Sequence, residues 1–145
     1  MAGPDPYNLE RFLDAQQGVI DTALDELRQG EKRSHWMWFV FPQLAGLGHS
    51  ETAKFFGVES LGEARAYLDH PTLGQRLRQS VEAILPWSGS RTAEQILGTV
   101  DAIKLRSSLT LFDQVEPGGV FSQALMNFFA GKEDELTLAL LDGGR

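Results

Sequence analysis

The chain has 145 residues, a length typical of one domain. It contains no cysteine, which excludes disulfides, thiolate metal sites, iron–sulfur clusters and cysteine nucleophiles. Thirteen basic and 20 acidic residues give a net charge of −7, which argues against general binding to nucleic acids or anionic membranes. No apolar run approaches the roughly 20 residues of a membrane span, and residues 1–6 do not form a signal peptide. We therefore expect a soluble, cytoplasmic protein with one domain over 7–141 and flexible termini over 1–6 and 142–145.

The spacing of apolar residues is almost entirely helical, since alternating runs of strand length are missing. Gly30 and Pro42 are placed to end the first two predicted helices. In chain order, the predicted helices cover residues 9–29, 35–41, 50–56, 60–68, 71–85, 92–97, 99–113, 120–130 and 133–141. This pattern predicts an all-α fold, a single compact orthogonal bundle of seven to nine mostly short helices.

Polar residues at N-cap positions indicate where several helices begin. Asn8, Ser34 and Ser50 each precede a helical pattern and are expected to cap it. The segments 60–63 (Ser-Leu-Gly-Glu) and 92–95 (Thr-Ala-Glu-Gln) have the spacing of capping boxes.

The first segment that could carry chemistry is 32–43, which is rich in aromatic residues. Trp36 and Trp38 lie about 200° apart on a helix and cannot share one face. One interpretation is a hydrophobic central helix with a hydrogen-bonded His35. The other is a pocket wall in which His35 acts as acid, base or ligand donor, Gln43 as a hydrogen-bonding arm and Arg33 as a source of positive charge.

The second segment, 46–51 (Gly-Leu-Gly-His-Ser-Glu), is a glycine loop that enters a helix. It lacks the pattern of a Walker loop or a dinucleotide fingerprint. Either it is a plain loop with Ser50 as N-cap, or it is a ligand loop in which His49 and Ser50 face a phosphate or carboxylate.

The third segment is the predicted helix over 99–113, where Asp101, Lys104 and Ser108 follow one another at helical spacing. Ser107, Ser108 and Thr110 are poor helix formers, which makes this segment a candidate site. Asp101 and Lys104 form either an ordinary ion pair or part of a site in which a deprotonated lysine activates a serine. We expect Lys104 to be substantially buried and tied to Asp101 and Ser108.

No metal site or cofactor is predicted. His35, His49 and His70 are widely spaced and lack metal-ligand spacing. His70, which precedes Pro71, is expected to serve the boundary of the next helix.

Together these segments resemble a known bacterial family. The chain has Phe-Leu-x-Ala-Gln at 12–16, Arg-Ser-His-Trp-Met-Trp-Phe-x-Phe-Pro-Gln at 33–43 and Gly-Leu-Gly-x-Ser at 46–50. Ala-x-x-Tyr-Leu-x-His-Pro follows at 64–71 and Asp-x-x-Lys-x-x-Ser-Ser-x-Thr-Leu-Phe at 101–112. This order resembles the family filed as domain of unknown function 1810, whose members are often labelled calpastatin. The resemblance implies a compact all-helical fold and supplies no reaction, cofactor or catalytic residue. The calpastatin label has no support, because inhibitory calpastatin segments are disordered polar peptides.

Two functional hypotheses follow. The first is a site for a small anionic metabolite or nucleotide, formed by the tryptophan helix, the glycine loop and the 101–112 helix, with tryptophan stacking on the ligand. It fails if His35, Ser50 and Lys104 lie more than about 15 Å apart, a length well outside one drug-sized pocket. The second is a protein-interaction module without catalysis, which requires Trp36 or Trp38 to be exposed on a convex surface. The sequence leaves enzyme and non-catalytic binder open, together with the oligomeric state.

Overall fold

In the computed structural model, residues 4–143 are described, and this part of the chain contains helices and no β-strand. The α-helices are α1 (Glu10–Gln16), α2 (Ile20–Arg28), α3 (Met37–Val40), α4 (Glu51–Phe56), α5 (Leu61–Asp69), α6 (Leu73–Ile84), α7 (Ala93–Leu97), α8 (Thr99–Val115), α9 (Val120–Phe129) and α10 (Glu135–Gly143). A short 3-10 turn, Leu85–Trp87, continues α6. The all-α prediction is confirmed, with one helix more than the upper bound of nine.

The additional helix arises because the predicted first helix is broken into α1 and α2. Gly18 lies at the break with φ +75°, a backbone conformation that favours glycine. Gln16, just before it, is buried, and its amide donates to the carbonyl of Phe39 at 2.7 Å and to the hydroxyl of Tyr67 at 3.2 Å. The predicted helix is interrupted here because this buried amide replaces an apolar residue on its core-facing side.

Asn8 does not cap α1, contrary to the prediction. Its φ is +53°, and α1 is instead preceded by Leu9. The carboxylate of Asp5 accepts the backbone N–H groups of Leu9 and Glu10 at 2.7 and 3.0 Å, and these bonds lower the pKa of Asp5. An aspartate five residues before the helix therefore takes the role that the sequence suggested for Asn8.

The capping predictions for α4, α5 and α7 are confirmed in their main features. Ser50 and Ser60 each accept the N–H three residues ahead at 3.1 Å. Thr92 and Gln95 form the complete reciprocal capping box. The box at Ser60 is only half formed, because the Glu63 carboxylate accepts the N–H of Glu59 and pairs with an arginine of α1.

The core is organised around α8, which packs against α5, α7, α9 and α10. Four buried aromatic rings cross the core, each in contact with the next. Their centroids are 5.1 Å apart for Phe12–Tyr67, 5.5 Å for Tyr67–Phe112 and 5.7 Å for Phe112–Phe121. These contacts join α1, α5, α8 and α9. The N-terminal part of α8 lies beyond them, where its side chains meet the segment that precedes α3.

Over residues 4–143, no helix is both long enough and apolar enough to cross a membrane. The expected flexible termini include residues 1–3 and 144–145, which lie outside the described residues.

Candidate ligand-binding site

A buried carboxylate on α2 shapes the segment that precedes α3. Glu26 accepts the backbone N–H groups of Arg33 and Ser34, the Ser34 hydroxyl and the indole N–H of Trp36. Burial alone would raise the pKa of Glu26, but these hydrogen bonds outweigh it and hold the pKa at about 2. Ser34 therefore binds Glu26 instead of capping α3, and the predicted Ser34 cap is wrong.

Two lysines from distant parts of the chain share one carboxylate beside this segment. Lys32 Nζ lies 2.9 Å from one oxygen of Asp101, and Lys104 Nζ lies 3.2 Å from the other. Lys32 also lies 5.1 Å from the ring centroid of Trp36, and Lys104 lies 4.1 Å from that of Trp38. We refer to Lys32, Asp101 and Lys104 as the Lys–Asp–Lys cluster. The predicted tie between Lys104 and Asp101 is confirmed.

The Lys–Asp–Lys cluster is poorly exposed and carries more positive than negative charge. The side chains of Lys32, Asp101 and Lys104 are 10%, 17% and 20% exposed. Burial would raise the pKa of Asp101, but hydrogen bonds from both lysines lower it below its usual range. One carboxylate therefore faces two ammonium groups, and among the described residues neither ammonium has a second hydrogen-bond acceptor.

The cluster lines a cavity of about 270 Å³. The lining residues are Lys32, His35, Trp36, Met37, Trp38, Phe39, Thr52, Asp101 and Lys104. Five of the twelve predicted site residues therefore meet here, namely His35, Trp36, Trp38, Asp101 and Lys104. The cavity joins the tryptophan segment to α8, two of the three segments that the ligand hypothesis brought together.

Two wider grooves, about 440 and 550 Å³, lie along α6 and lack a comparable cluster. In the second, His70 Nδ1 accepts the N–H groups of Thr72 and Leu73, which confirms its predicted role at the helix boundary. Arg78 in the same groove pairs with Glu116 at 2.9 Å. His70 and Arg78 in this groove therefore already have structural partners.

Arg33 and Gln43 do not line the cavity. The guanidinium of Arg33 is exposed and binds Glu31 and Gln29 at the surface. Gln43 is buried, and its backbone C=O accepts the N–H of Val58 in an isolated bridge between the loop and the residues after α4. Its side-chain Nε2 has no hydrogen-bond partner within the described residues.

The glycine loop has a packing role in this structure. A Cβ on Gly48 would lie 2.7 Å from that of Ala53 and 3.3 Å from the Trp38 ring, so glycine permits the loop to approach both. His49 and Ser50 are exposed and do not line the cavity, although Thr52 of α4 does. Of His35, Ser50 and Lys104, therefore, the first and the last line the cavity and Ser50 does not.

Ser107, Ser108 and Thr110 of α8 are buried in the core and do not line the cavity. Ser107 and Thr110 donate to carbonyls one turn earlier, and Thr110 also accepts the N–H of Asp134 at 2.8 Å, which ties α10 to α8. The Ser108 hydroxyl is buried without a hydrogen-bond partner within the described residues. Since Lys104 binds Asp101 and not Ser108, the predicted Lys104–Ser108 contact and the serine-activation interpretation are wrong.

Neither Trp36 nor Trp38 is exposed in the way that the interaction-module hypothesis required. Trp36 is 1% exposed, so its ring faces offer no free surface on which a ligand could stack. Trp38 is half-buried at the concave cavity wall, with Lys104 over its ring. The large apolar residues that are exposed lie elsewhere, at Tyr7, Phe55, Val100, Ile103, Met126, Leu136 and Leu140.

Lys32 is the main cavity residue that the sequence did not single out. It lies in a non-helical segment, so no periodicity relates it to Asp101 or Trp36. Its backbone N–H donates to the carbonyl of Ile96 at 2.8 Å, which fixes the segment to α7 beside the start of α8. Only its position immediately before the tryptophan motif indicated it. Within residues 4–143, no group of His, Cys, Asp or Glu has the arrangement of a metal site.

The fold defines an all-helical protein with a charged cavity. Its family is established by comparison with known proteins. The chain matches the family described as "Protein of unknown function (DUF1810)" over residues 6–141, and it belongs to that family. It is 45% identical to the conserved hypothetical protein Rv1873 from Mycobacterium tuberculosis, whose crystal structure superposes with a TM-score of 0.91. The alignment covers 95% of this chain and 99% of that one. No curated protein gave a significant match.

Proposed function

We propose that the cavity beside the Lys–Asp–Lys cluster binds a small molecule through an anionic group. The observation that carries this proposal is that two poorly exposed ammonium groups share a single carboxylate. Each ammonium has three N–H donors, and Asp101 is the only acceptor found for either among the described residues. An anion at the cavity would take up the remaining donors.

The local charge supports the same ligand class. The chain as a whole carries −7, whereas the charged lining residues of this cavity are two lysines and one aspartate. Coulombic attraction is stronger where side chains exclude water, so the surplus positive charge attracts an anion at short range. His35, exposed at the lining, adds a ring N–H donor.

A thermal-shift series tests this proposal at constant ionic strength. The ligands are anionic metabolites, each paired with a neutral analogue, because a compound that binds only the native state raises the unfolding midpoint. We expect anionic compounds to raise the midpoint in a saturable manner and their neutral analogues to have no effect. Lys32→Met and Lys104→Met should weaken the response, whereas Asp101→Asn should strengthen it by removing the competing carboxylate.

Lys132→Met is the matched control, since Lys132 is exposed and its side chain does not reach the cavity. It should respond as the parent does. Equal responses of the parent and Lys104→Met, or equal responses to the anions and their neutral analogues, would contradict the proposal.

A further inference from the structure

The arrangement of the two tryptophans restricts the kind of anion that the cavity accepts. We infer that its ligand is a compact oxyanion, a carboxylate or phosphate on a small non-aromatic body, which accepts N–H donors from both Lys32 and Lys104. This inference rests on the proposed anion site and specifies its ligand class.

The indole faces beside the charged groups are already covered. Lys32 lies over Trp36, whose ring is 1% exposed and whose N–H is bound to Glu26. Lys104 lies 4.1 Å from the centroid of the Trp38 ring. Cation–π contacts of this kind hold the ammonium groups over the rings. A nucleobase stacked at either face would have to displace the lysine that is needed for its phosphate.

The size of the cavity agrees with a compact ligand. Its volume is about 270 Å³, and sites for drug-sized ligands occupy roughly 300–1,000 Å³. The two ammonium groups bind opposite oxygens of one carboxylate, which shows that their spacing already suits a group with two oxygens. A carboxylate or phosphate supplies the same pair of acceptors from the cavity side.

The test is an NMR titration of the indole N–H signals, because the chain has three tryptophans and one of them is an internal control. Trp87 lines a groove along α6, and its indole N–H donates to the carbonyl of Arg28. The probes are sodium phosphate, sodium succinate, adenosine monophosphate and adenosine, each at constant ionic strength. We expect phosphate and succinate to shift the Trp36 and Trp38 signals saturably and to leave Trp87 unchanged.

The nucleotide probes separate this inference from the proposed function. Adenosine should have no effect, and the monophosphate should bind no more tightly than phosphate. Lys104→Met should weaken phosphate binding about tenfold, the loss of roughly one charge-assisted hydrogen bond, and Lys132→Met should not change it. Tenfold tighter binding of the monophosphate than of phosphate, or saturable binding of adenosine, would overturn the compact-ligand inference and leave the anion site standing. No saturable shift of Trp38 with any probe, or an unchanged titration of Lys104→Met, would overturn both.

Discussion

The indole N–H of Trp36 donates a 2.9 Å hydrogen bond to the carboxylate of Glu26 on α2. Trp36 in turn supports Lys32, whose ammonium group pairs with Asp101 on α8. A buried carboxylate that does not line the cavity therefore holds the indole ring on which the ammonium group of Lys32 rests.

Replacing Glu26 by glutamine should destabilise the protein and loosen the segment before α3. Three of the four donors share Oε1 of Glu26, and a neutral amide oxygen binds them more weakly than a carboxylate does. The fourth bond must also reverse, because the glutamine NH2 group has to donate to the Ser34 hydroxyl. We expect Glu26→Gln to lower the free energy of unfolding by about 2–3 kcal/mol in urea denaturation. Glu31→Gln is the control, since Glu31 is 54% exposed and its surface pair contributes less than about 1 kcal/mol. Equal effects of the two variants would show that the Glu26 hydrogen bonds are unimportant.

The same carboxylate makes stability depend on pH in the acid range. The pKa of Glu26 is about 2 in the folded protein and near 4.5 when unperturbed. Because the folded pKa is depressed, its contribution is fully present above the unfolded value and is lost as pH falls from 4.5 towards 2. We expect a loss of at most about 3 kcal/mol from this residue, measured by urea denaturation at a series of pH values. Glu26→Gln should show a correspondingly flatter profile, and an identical slope would refute the assignment.

For Asp113 we expect the opposite dependence on pH, since its contribution to stability improves as the pH falls. Burial raises its pKa, and its Oδ1 is buried without a hydrogen-bond partner among the described residues. The folded state therefore disfavours the charged carboxylate, and this penalty disappears as pH falls through the raised pKa. Asp113→Asn should increase stability at pH 7 by on the order of 1 kcal/mol. Thermal unfolding at neutral pH measures this, with exposed Asp14→Asn as a control that should differ little from the parent.

Gly18 and Gly30 have similar φ angles, so alanine variants at the two positions distinguish the cost of backbone strain from the cost of steric contact. Gly18 has φ +75° with open space around it, whereas Gly30 has φ +72° and a Cβ there would lie 2.6 Å from the Trp87 ring. Gly18→Ala should cost about 1–2 kcal/mol for the left-handed backbone alone. Gly30→Ala should cost a further 1–3 kcal/mol, roughly the effect of overpacking. Chemical denaturation compares the two, and a Gly30 variant no less stable than the Gly18 variant would contradict the close packing.

The two lysines of the Lys–Asp–Lys cluster should compensate for each other. Lys104→Met or Lys32→Met leaves Asp101 with one ammonium partner, so each should cost only about 1 kcal/mol. The double variant leaves the carboxylate, which is 17% exposed, without a cation, and should exceed the sum by about 1–2 kcal/mol. A double-mutant cycle in urea measures this coupling. Strict additivity would show that the lysines do not share Asp101.

The family and the helical class followed from the sequence, because both depend on patterns along the chain. The caps at Ser50, Ser60 and Thr92 were predicted correctly since each bond spans three residues. Asp101 and Lys104 were paired correctly for the same reason, as they lie one turn apart on α8. Local hydrogen bonds and helical periodicity are readable without knowledge of the neighbouring helices.

The tertiary structure determined which side chains contact Ser34, Lys32 and Lys104. Ser34 was predicted to cap a helix, but Glu26 from α2 takes its hydroxyl. Lys32 became a cavity residue because α7 holds its backbone beside α8, far along the chain. Ser108 lost its predicted partner because Lys104 has a carboxylate and an aromatic ring within reach. For Ser34 and Lys32 the charged partner lies on a separate helix, whereas Lys104 keeps the local carboxylate of Asp101, because charge-assisted hydrogen bonds are stronger than a bond to a neutral hydroxyl.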